Sequence, residues 1–459
     1  MQKTLLLLLI ATLPLKAADT PPTLRELLEQ ALQKNYKTQV AQQKVNISHI
    51  EKQQLKDAYL PTAEVSGSYG FMTQNVSIKS DATTIYLEDG AHPLPGLDNG
   101  LTTKGNLARA TLDVNALLYS GGKIPALKKA VDQKILAQEA AVEKENQQVI
   151  EEVIKAYDQL ALLDQVKQLL DESQKRLDVH QKTADKALEY GLITKYEHQR
   201  LQLAQSQLKH KQVNYEGQRS LLLEQLAMLT GVEKTKLSEL HPSLETLETA
   251  SAPLSVDKRP ELIALDHIIQ ANKFKVEAEK TWWKPKVAVS ASAGYLNLFD
   301  ATIKGKTALP YNLGYNTLHT NSLQLAPDIR IGIGFKWEIF DGFKGKKEIQ
   351  KAKTETLIAE AEKAEAEELL NLNLLKNRTE LTTVQEELAL KQTQMLLAKD
   401  ALDVATKEFK TGLIKSSELI DAENDYLAAA LDYQKSLFNQ RRTAVGLLKA
   451  SGSLQIDKL

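Results

Sequence analysis

Apolar positions along the chain follow two periods, and the places where the period changes divide it into elements. Leu24, Leu27, Leu28, Ala31 and Leu32 recur at helical spacing. They predict a helix opened by a Thr23/Glu26 capping box and running to about Tyr59, where Leu60-Pro61 disfavours continuation. From Ala63 the period becomes two: Val65, Gly67, Tyr69 and Phe71 fall on one face, and Glu64, Ser66, Ser68 and Gly70 on the other. That alternation predicts a strand. A polar stretch containing His92-Pro93-Leu94-Pro95-Gly96 reads as a loop. Alternation resumes with Ala108, Ala110, Leu112, Val114 and Ala116 against Arg109, Thr111, Asp113 and Asn115, and Tyr119-Ser120-Gly121-Gly122 closes it.

The run from Ala126 to Tyr190 contains neither Gly nor Pro. It predicts one helix roughly 100 Å long, far beyond the usual three or four turns. Gly191-Leu192-Ile193 then turns the chain back into a second helical run ending at Thr230-Gly231, because Gly tolerates the left-handed conformation that ends a helix.

The same order of elements returns in the second half. Arg259-Pro260-Glu261 opens a helix that Trp282-Trp283-Lys284-Pro285 ends. Val287, Val289, Ala291, Ala293 and Tyr295 alternate, and after another polar loop so do Ile329, Ile331, Ile333, Phe335 and Trp337, until Phe340-Asp341-Gly342 closes the pair. A Gly- and Pro-free run from Lys346 to Thr411 leads to Gly412-Leu413-Ile414, 221 residues after its first-half equivalent, and a helical run ends at Ser451-Gly452. The expected organisation is a signal peptide over 1–18, repeats over 19–231 and 259–452, a joining segment over 232–258 with turns at His241-Pro242-Ser243 and Ala252-Pro253, and a tail over 453–459.

The signal peptide is read from Lys3, the apolar run Leu5 to Leu15 and the small pair Ala17-Ala18. At about a dozen residues, interrupted by Pro14, that run is too short to span a bilayer. The chain has no Cys, which leaves out disulfides and lipidation on cysteine and suits an oxidising compartment. Without the signal's Lys3 and Lys16, 56 basic side chains face 59 acidic ones, so nothing points to nucleic acid. The eight His residues are scattered and no phosphate-binding loop is present, so no enzyme signature and no cofactor or metal site is read.

Four strands with one apolar face, flanked by long helices, have no layer to cover that face, so it is expected to meet lipid. In a bilayer strands persist only as a closed barrel, and four are too few to close one. Two copies would leave almost no lumen, whereas three give twelve strands and room for a channel. The shorter helical runs, Thr23 to Tyr59 and Leu192 to Thr230, stacked end to end give roughly 110 Å, enough to match one long helix. The expected fold is therefore a membrane β-barrel continuing into a barrel of long paired helices. The competing reading is a periplasmic coiled-coil scaffold whose strands form a small soluble sheet.

In order, spacing and duplication, these residues resemble the TolC-type outer membrane efflux proteins. The resemblance runs from the opening helix and the Leu60-Pro61 strand entry, through Trp337-Glu338-Ile339-Phe340-Asp341-Gly342, to Gly412, Asp421-Ala422 and Tyr433. It implies a homotrimeric exit duct with a 12-stranded outer membrane barrel and a periplasmic helical tunnel. Implied partners are an adaptor (membrane fusion) protein, an inner-membrane pump such as an RND or ABC transporter, and outer membrane lipid.

The resemblance also implies a periplasmic constriction at Glu418 and Asp421, which at i, i+3 share a helix face. Glu197 and Arg200 stand at the equivalent first-half positions, one acid kept and one replaced by a base. Glu197 can equally be the N3 member of a capping box with Thr194, whereas Lys415 replaces that cap in the second half. Gly191, Leu192, Ile193, Gly412, Leu413 and Ile414 are the expected adaptor-docking tips, with packing inside their own hairpins as the alternative. Tyr59, Tyr119, Trp282, Trp283, Trp337 and Phe340 fall at the same ends of the strands, where an aromatic girdle would lie; packing at the neck competes with that role.

Overall fold

Thr23 does cap the first helix. Its hydroxyl accepts from the Glu26 amide, the Glu26 carboxylate accepts from the Thr23 amide, and α1 runs over Leu24–Lys34. The expected single helix is broken at Asn35, whose backbone is extended and whose side chain accepts from the Lys37 amide before α2 begins, Tyr36–Asp57. An Asn side chain competing for a backbone amide is a local alternative to helix.

The structure, a computed structural model, describes residues 21–94, 97–248, 254–308 and 315–458. The signal peptide, Pro95-Gly96 and the Ala252-Pro253 turn lie outside the described residues. The chain divides into two compact units, each drawing segments from both halves of the sequence.

One unit, residues 49–132 and 271–356, is built on an antiparallel sheet in the order β1-β4-β5-β6. β1 is Thr62–Ser80, β4 Leu97–Tyr119, β5 Lys286–Ala308 and β6 Tyr315–Lys336; a small hairpin of β2, Thr83–Leu87, and β3, Gly90–Leu94, sits between β1 and β4. The strands run well past the alternating stretches, into segments expected to be loops: pairing of β1 with β4 continues to Ser80–Leu97, although after Phe71 the apolar residues move from odd positions to even ones, Met72, Val76 and Ile78, and the single alternation is lost. Backbone pairing needs no apolar face; alternation marks only where one face is apolar.

The register places polar residues in rows: Glu64–Asp113–Ser292–Arg330 and Ser66–Thr111–Gly294–Asp328. On the opposite face Val65, Phe71, Leu112, Ile329, Ile331, Ile333 and Phe335 are exposed. The β5–β6 register shifts between Gly294 and Leu296, opposite Pro327, which donates no ladder hydrogen bond. No helix among the described residues is long and apolar enough to cross a membrane.

The other unit, residues 21–48, 133–270 and 357–458 among those described, is helical. α3, Lys123–Glu189, and α7, Lys344–Lys410, each run 67 residues without interruption. α4, Lys195–Thr230, and α8, Ser416–Ala450, return from the two Gly-Leu-Ile turns; α5, Lys234–Ser238, and α6, Pro260–Glu279, complete the helices. The core is one apolar stripe from each helix, with Leu27, Leu28, Ile154, Leu160, Leu201 and Leu226 fully buried, each stabilising by about 2 kcal/mol. The segment after α5 is tied down by Gln440, whose amide pairs with both backbone groups of Leu247 at 3.0 and 2.8 Å, and by Arg441, which donates to the Glu245 carbonyl at 3.0 Å and forms an ion pair with the buried Asp158 at 2.9 Å.

Candidate functional site: the hairpin turns and the acidic start of α8

Both turns end their long helix in the same way. Gly191 and Gly412 sit at φ +69° and +77°, and the next amide reaches back, Leu192 to the Ala187 carbonyl at 2.8 Å and Leu413 to the Glu408 carbonyl at 2.9 Å. This is the left-handed cap that a side chain would strain. Space itself is open around both glycines.

Each expected apolar pair is divided by the geometry. Leu192 and Leu413 are both 76% exposed, whereas Ile193 packs against the main helical core and Ile414 against Leu402, Leu419 and Tyr426. Of these four residues the leucines are the largely exposed ones, and the isoleucines are partly buried.

Glu197 closes a capping box with Thr194, its carboxylate accepting from the Thr194 amide at 3.0 Å and its own amide donating to the Thr194 hydroxyl at 3.2 Å. Its local role is satisfied. α8 starts without such a cap: Lys415 makes no side-chain capping bond, and the Ser416 hydroxyl instead donates to the Glu197 carbonyl at 3.4 Å, joining the starts of α4 and α8. Glu418 and Asp421 are exposed on the first two turns of α8. Arg200 of α4 reaches Asp421 at 3.5 Å, so of the four expected constriction residues the structure brings this pair together within one chain.

Two residues beyond Asp421 on α8 lies a cluster that the sequence reading missed. Glu423, 3% exposed, accepts from the Ser173 hydroxyl at 2.6 Å and from two nitrogens of Arg176 at 2.8 and 3.0 Å. Arg176 also lies over the Tyr426 ring at 5.3 Å. The cluster ties α3 of the first hairpin to α8 of the second. Beside it His180 is buried edge-on to Phe409, its Nε2 without a hydrogen-bond partner among the described residues. Burial holds His180 below the usual histidine range, with Lys410 and Arg176 adding to the effect and Glu423 opposing it. The available signal was an acid at an apolar-stripe position, since Leu419, Ile420, Glu423, Tyr426 and Leu427 share one face.

The aromatics at the strand ends also divide. The Tyr59 hydroxyl bonds Ser120 at 2.9 Å, and Trp282 lies against Gly345, where any side chain would collide with its indole. Those two are engaged with neighbouring turns at the strand ends. Tyr119, Trp283, Trp337 and Phe340 are exposed, and the Trp337 indole donates to the Trp283 carbonyl at 2.9 Å.

Among the described residues there is no group of acids and histidines that would hold a metal ion. No curated protein sequence matches the chain. Solved structures do: an outer membrane protein of Vibrio cholerae, VceC, at 17% identity, covering 94% of this chain and 96% of that one, TM-score 0.68. The open state of the Neisseria gonorrhoeae MtrE channel matches at 16% identity, 94% and 89% coverage and TM-score 0.68. The Campylobacter jejuni CmeC channel follows at 14%, 94% and 85%, and TM-score 0.68. These likenesses show the fold, with four strands and long helices per chain. A family model described as outer membrane efflux protein matches residues 27–232 and 253–453, nearly the whole described chain. The chain therefore belongs to the outer membrane efflux protein family and is an outer membrane channel that extends into the periplasm.

Proposed function

We propose that three copies of this chain form the exit duct of a tripartite efflux or type I secretion machine, receiving substrate from an inner-membrane pump through a periplasmic adaptor. The observation that carries this reading is the open sheet. β1 and β6, 19 and 22 residues long, are edge strands, each paired on one side and with no strand on the other among the described residues, and the apolar face between them is exposed. An edge of that length is a template for another strand, and closure removes it. Pairing β6 of one copy with β1 of the next gives the twelve-stranded barrel. The exposed Leu192 and Leu413 then dock the adaptor, and Glu418 and Asp421, restrained by Arg200, form the constriction.

The chain has no Cys, so cysteines placed at Ser66 and Gly332, one on each edge strand, report only on each other. A short bismaleimide applied to outer membranes should link the double variant into a ladder ending at a covalent trimer, with no ladder from either single variant. A product that stops at a dimer, or no product at all, would overturn the trimeric duct.

A further inference from the structure

The end of the sheet next to the helices carries an unusual charge. Over residues 271–286 and 336–353 there are eleven Lys and no Arg against five acidic residues, in a chain whose 58 basic and 59 acidic side chains balance as a whole. Three of those acids are committed: Glu279 to Lys123 at 2.9 Å, Glu338 to Lys336 at 3.1 Å, and Asp341 to the Gly345 amide at 2.6 Å. Lys280, Lys284, Lys344 and Lys347 have no acidic partner among the described residues.

These lysines converge because the backbone around them does. Gly345, between Lys344 and Lys346, lies against the Trp282 indole, and Trp337 bonds the Trp283 carbonyl, so the α6–β5 turn, the exit of β6 and the start of α7 meet at one place. Phe343 and Phe340 stack edge to face at 5.4 Å, with Lys346 over the Phe343 ring at 5.4 Å. The patch continues the exposed apolar face, since Trp337 and Ile339 extend the alternation of Ile331, Ile333 and Phe335 and are themselves exposed.

We propose that this belt binds the headgroups of anionic phospholipid in the inner leaflet of the outer membrane; the inference rests on the lipid-facing reading of the apolar sheet face. Indole and phenyl rings suit the interface, lysine stems lie along it, and their ammonium groups reach the phosphate plane. An anionic phospholipid is favoured over a neutral one by charge complementarity, and over a protein partner because the patch is continuous with the membrane-facing strands. The sidedness follows from the strands entering the long helices at this end.

All three Trp residues of the chain, Trp282, Trp283 and Trp337, lie in this belt, so intrinsic fluorescence reports on it alone. The full-length channel is reconstituted in phosphatidylcholine vesicles containing phosphatidylglycerol, with brominated acyl chains on either one or the other lipid at equal bromine density. Quenching by brominated phosphatidylglycerol should exceed that by brominated phosphatidylcholine by at least about twofold, falling with added salt. In the K280Q/K284Q/K344Q/K346Q variant the two lipids should quench equally. Equal quenching in the unaltered channel, or a preference that survives in the variant, overturns the headgroup site while leaving the barrel in place. Absence of quenching by either lipid overturns the lipid-facing sheet itself.

Discussion

Glu423 shows how a single residue can join two hairpins. A carboxylate 3% exposed on an apolar stripe is costly unless its oxygens are bonded, and Ser173 and Arg176 bond both. Glu423→Ala strands the guanidinium, which keeps partial access to water, so the expected loss is about 2–3 kcal/mol, near the low end for broken buried pairs. The heat-dissociation midpoint of the detergent-solubilised channel should fall, and Glu423→Gln, which keeps the Ser173 bond, should fall less. Its neighbour His180 has a lowered folded pKa, so the unfolded chain takes up its proton first, below about pH 6.5. Stability from this residue is therefore complete above that pH and declines as pH falls toward the folded pKa, where the penalty levels off. His180→Gln should narrow the difference in dissociation midpoint between pH 7.5 and pH 5.5, and identical differences in the two proteins would remove His180 from the acid response.

At the scale of elements, helices and strands were legible for different reasons. The long helices showed themselves through the absence of Gly and Pro, and their observed limits, Lys123–Glu189 and Lys344–Lys410, fall within three residues of the sequence runs. Strand cores were legible where one alternation holds, but the extensions of β1 to Ser80 and β5 to Ala308 were not, since the apolar residues change parity there, after Phe71 to Met72, Val76 and Ile78 and after Tyr295 to Leu296 and Leu298, so no single period carries through. The buried Glu423 depends on a partner far outside the local window, Arg176 of α3, whereas the break at Asn35 is local, its side chain taking the amide of Lys37 two residues on in place of the helical bond. If the apolar strand face meets lipid, Ile331→Arg should lower membrane assembly by about 2–4 kcal/mol near the bilayer midplane, while Thr111→Arg, on the polar face, should be mild. Equal yields of assembled channel for both would contradict the assignment of faces. At the turns, Gly412→Val forces a β-branched residue to φ +77° and should cost about 1–2 kcal/mol, whereas Leu413→Ser should leave the heat-dissociation midpoint unchanged and weaken capture of the adaptor in crosslinking.

For the whole molecule, the charge at the start of α8 acts only when copies meet. In the proposed trimer, three copies of Glu418 and Asp421 line the constriction, and rings of carboxylates favour cations. Glu418→Ala with Asp421→Ala should therefore lower the cation preference measured as a reversal potential under a salt gradient, with little effect on assembly, because both side chains are exposed. Arg200 acts differently: its 3.5 Å pair with Asp421 holds α8 to α4 in each chain. An exposed pair of this kind contributes about 0.5 kcal/mol, too little to matter once. If the three copies open together, the contributions add to about 1.5 kcal/mol, roughly a tenfold change in the ratio of open to closed channels. Arg200→Ala should thus raise resting conductance in single-channel recordings and lose sensitivity to salt, since screening weakens the pair in the unaltered channel but has nothing to weaken in the variant. A variant that conducts as the unaltered channel does at both low and high salt would show that the starts of α4 and α8 move as one body, with the constriction set by contacts between copies instead.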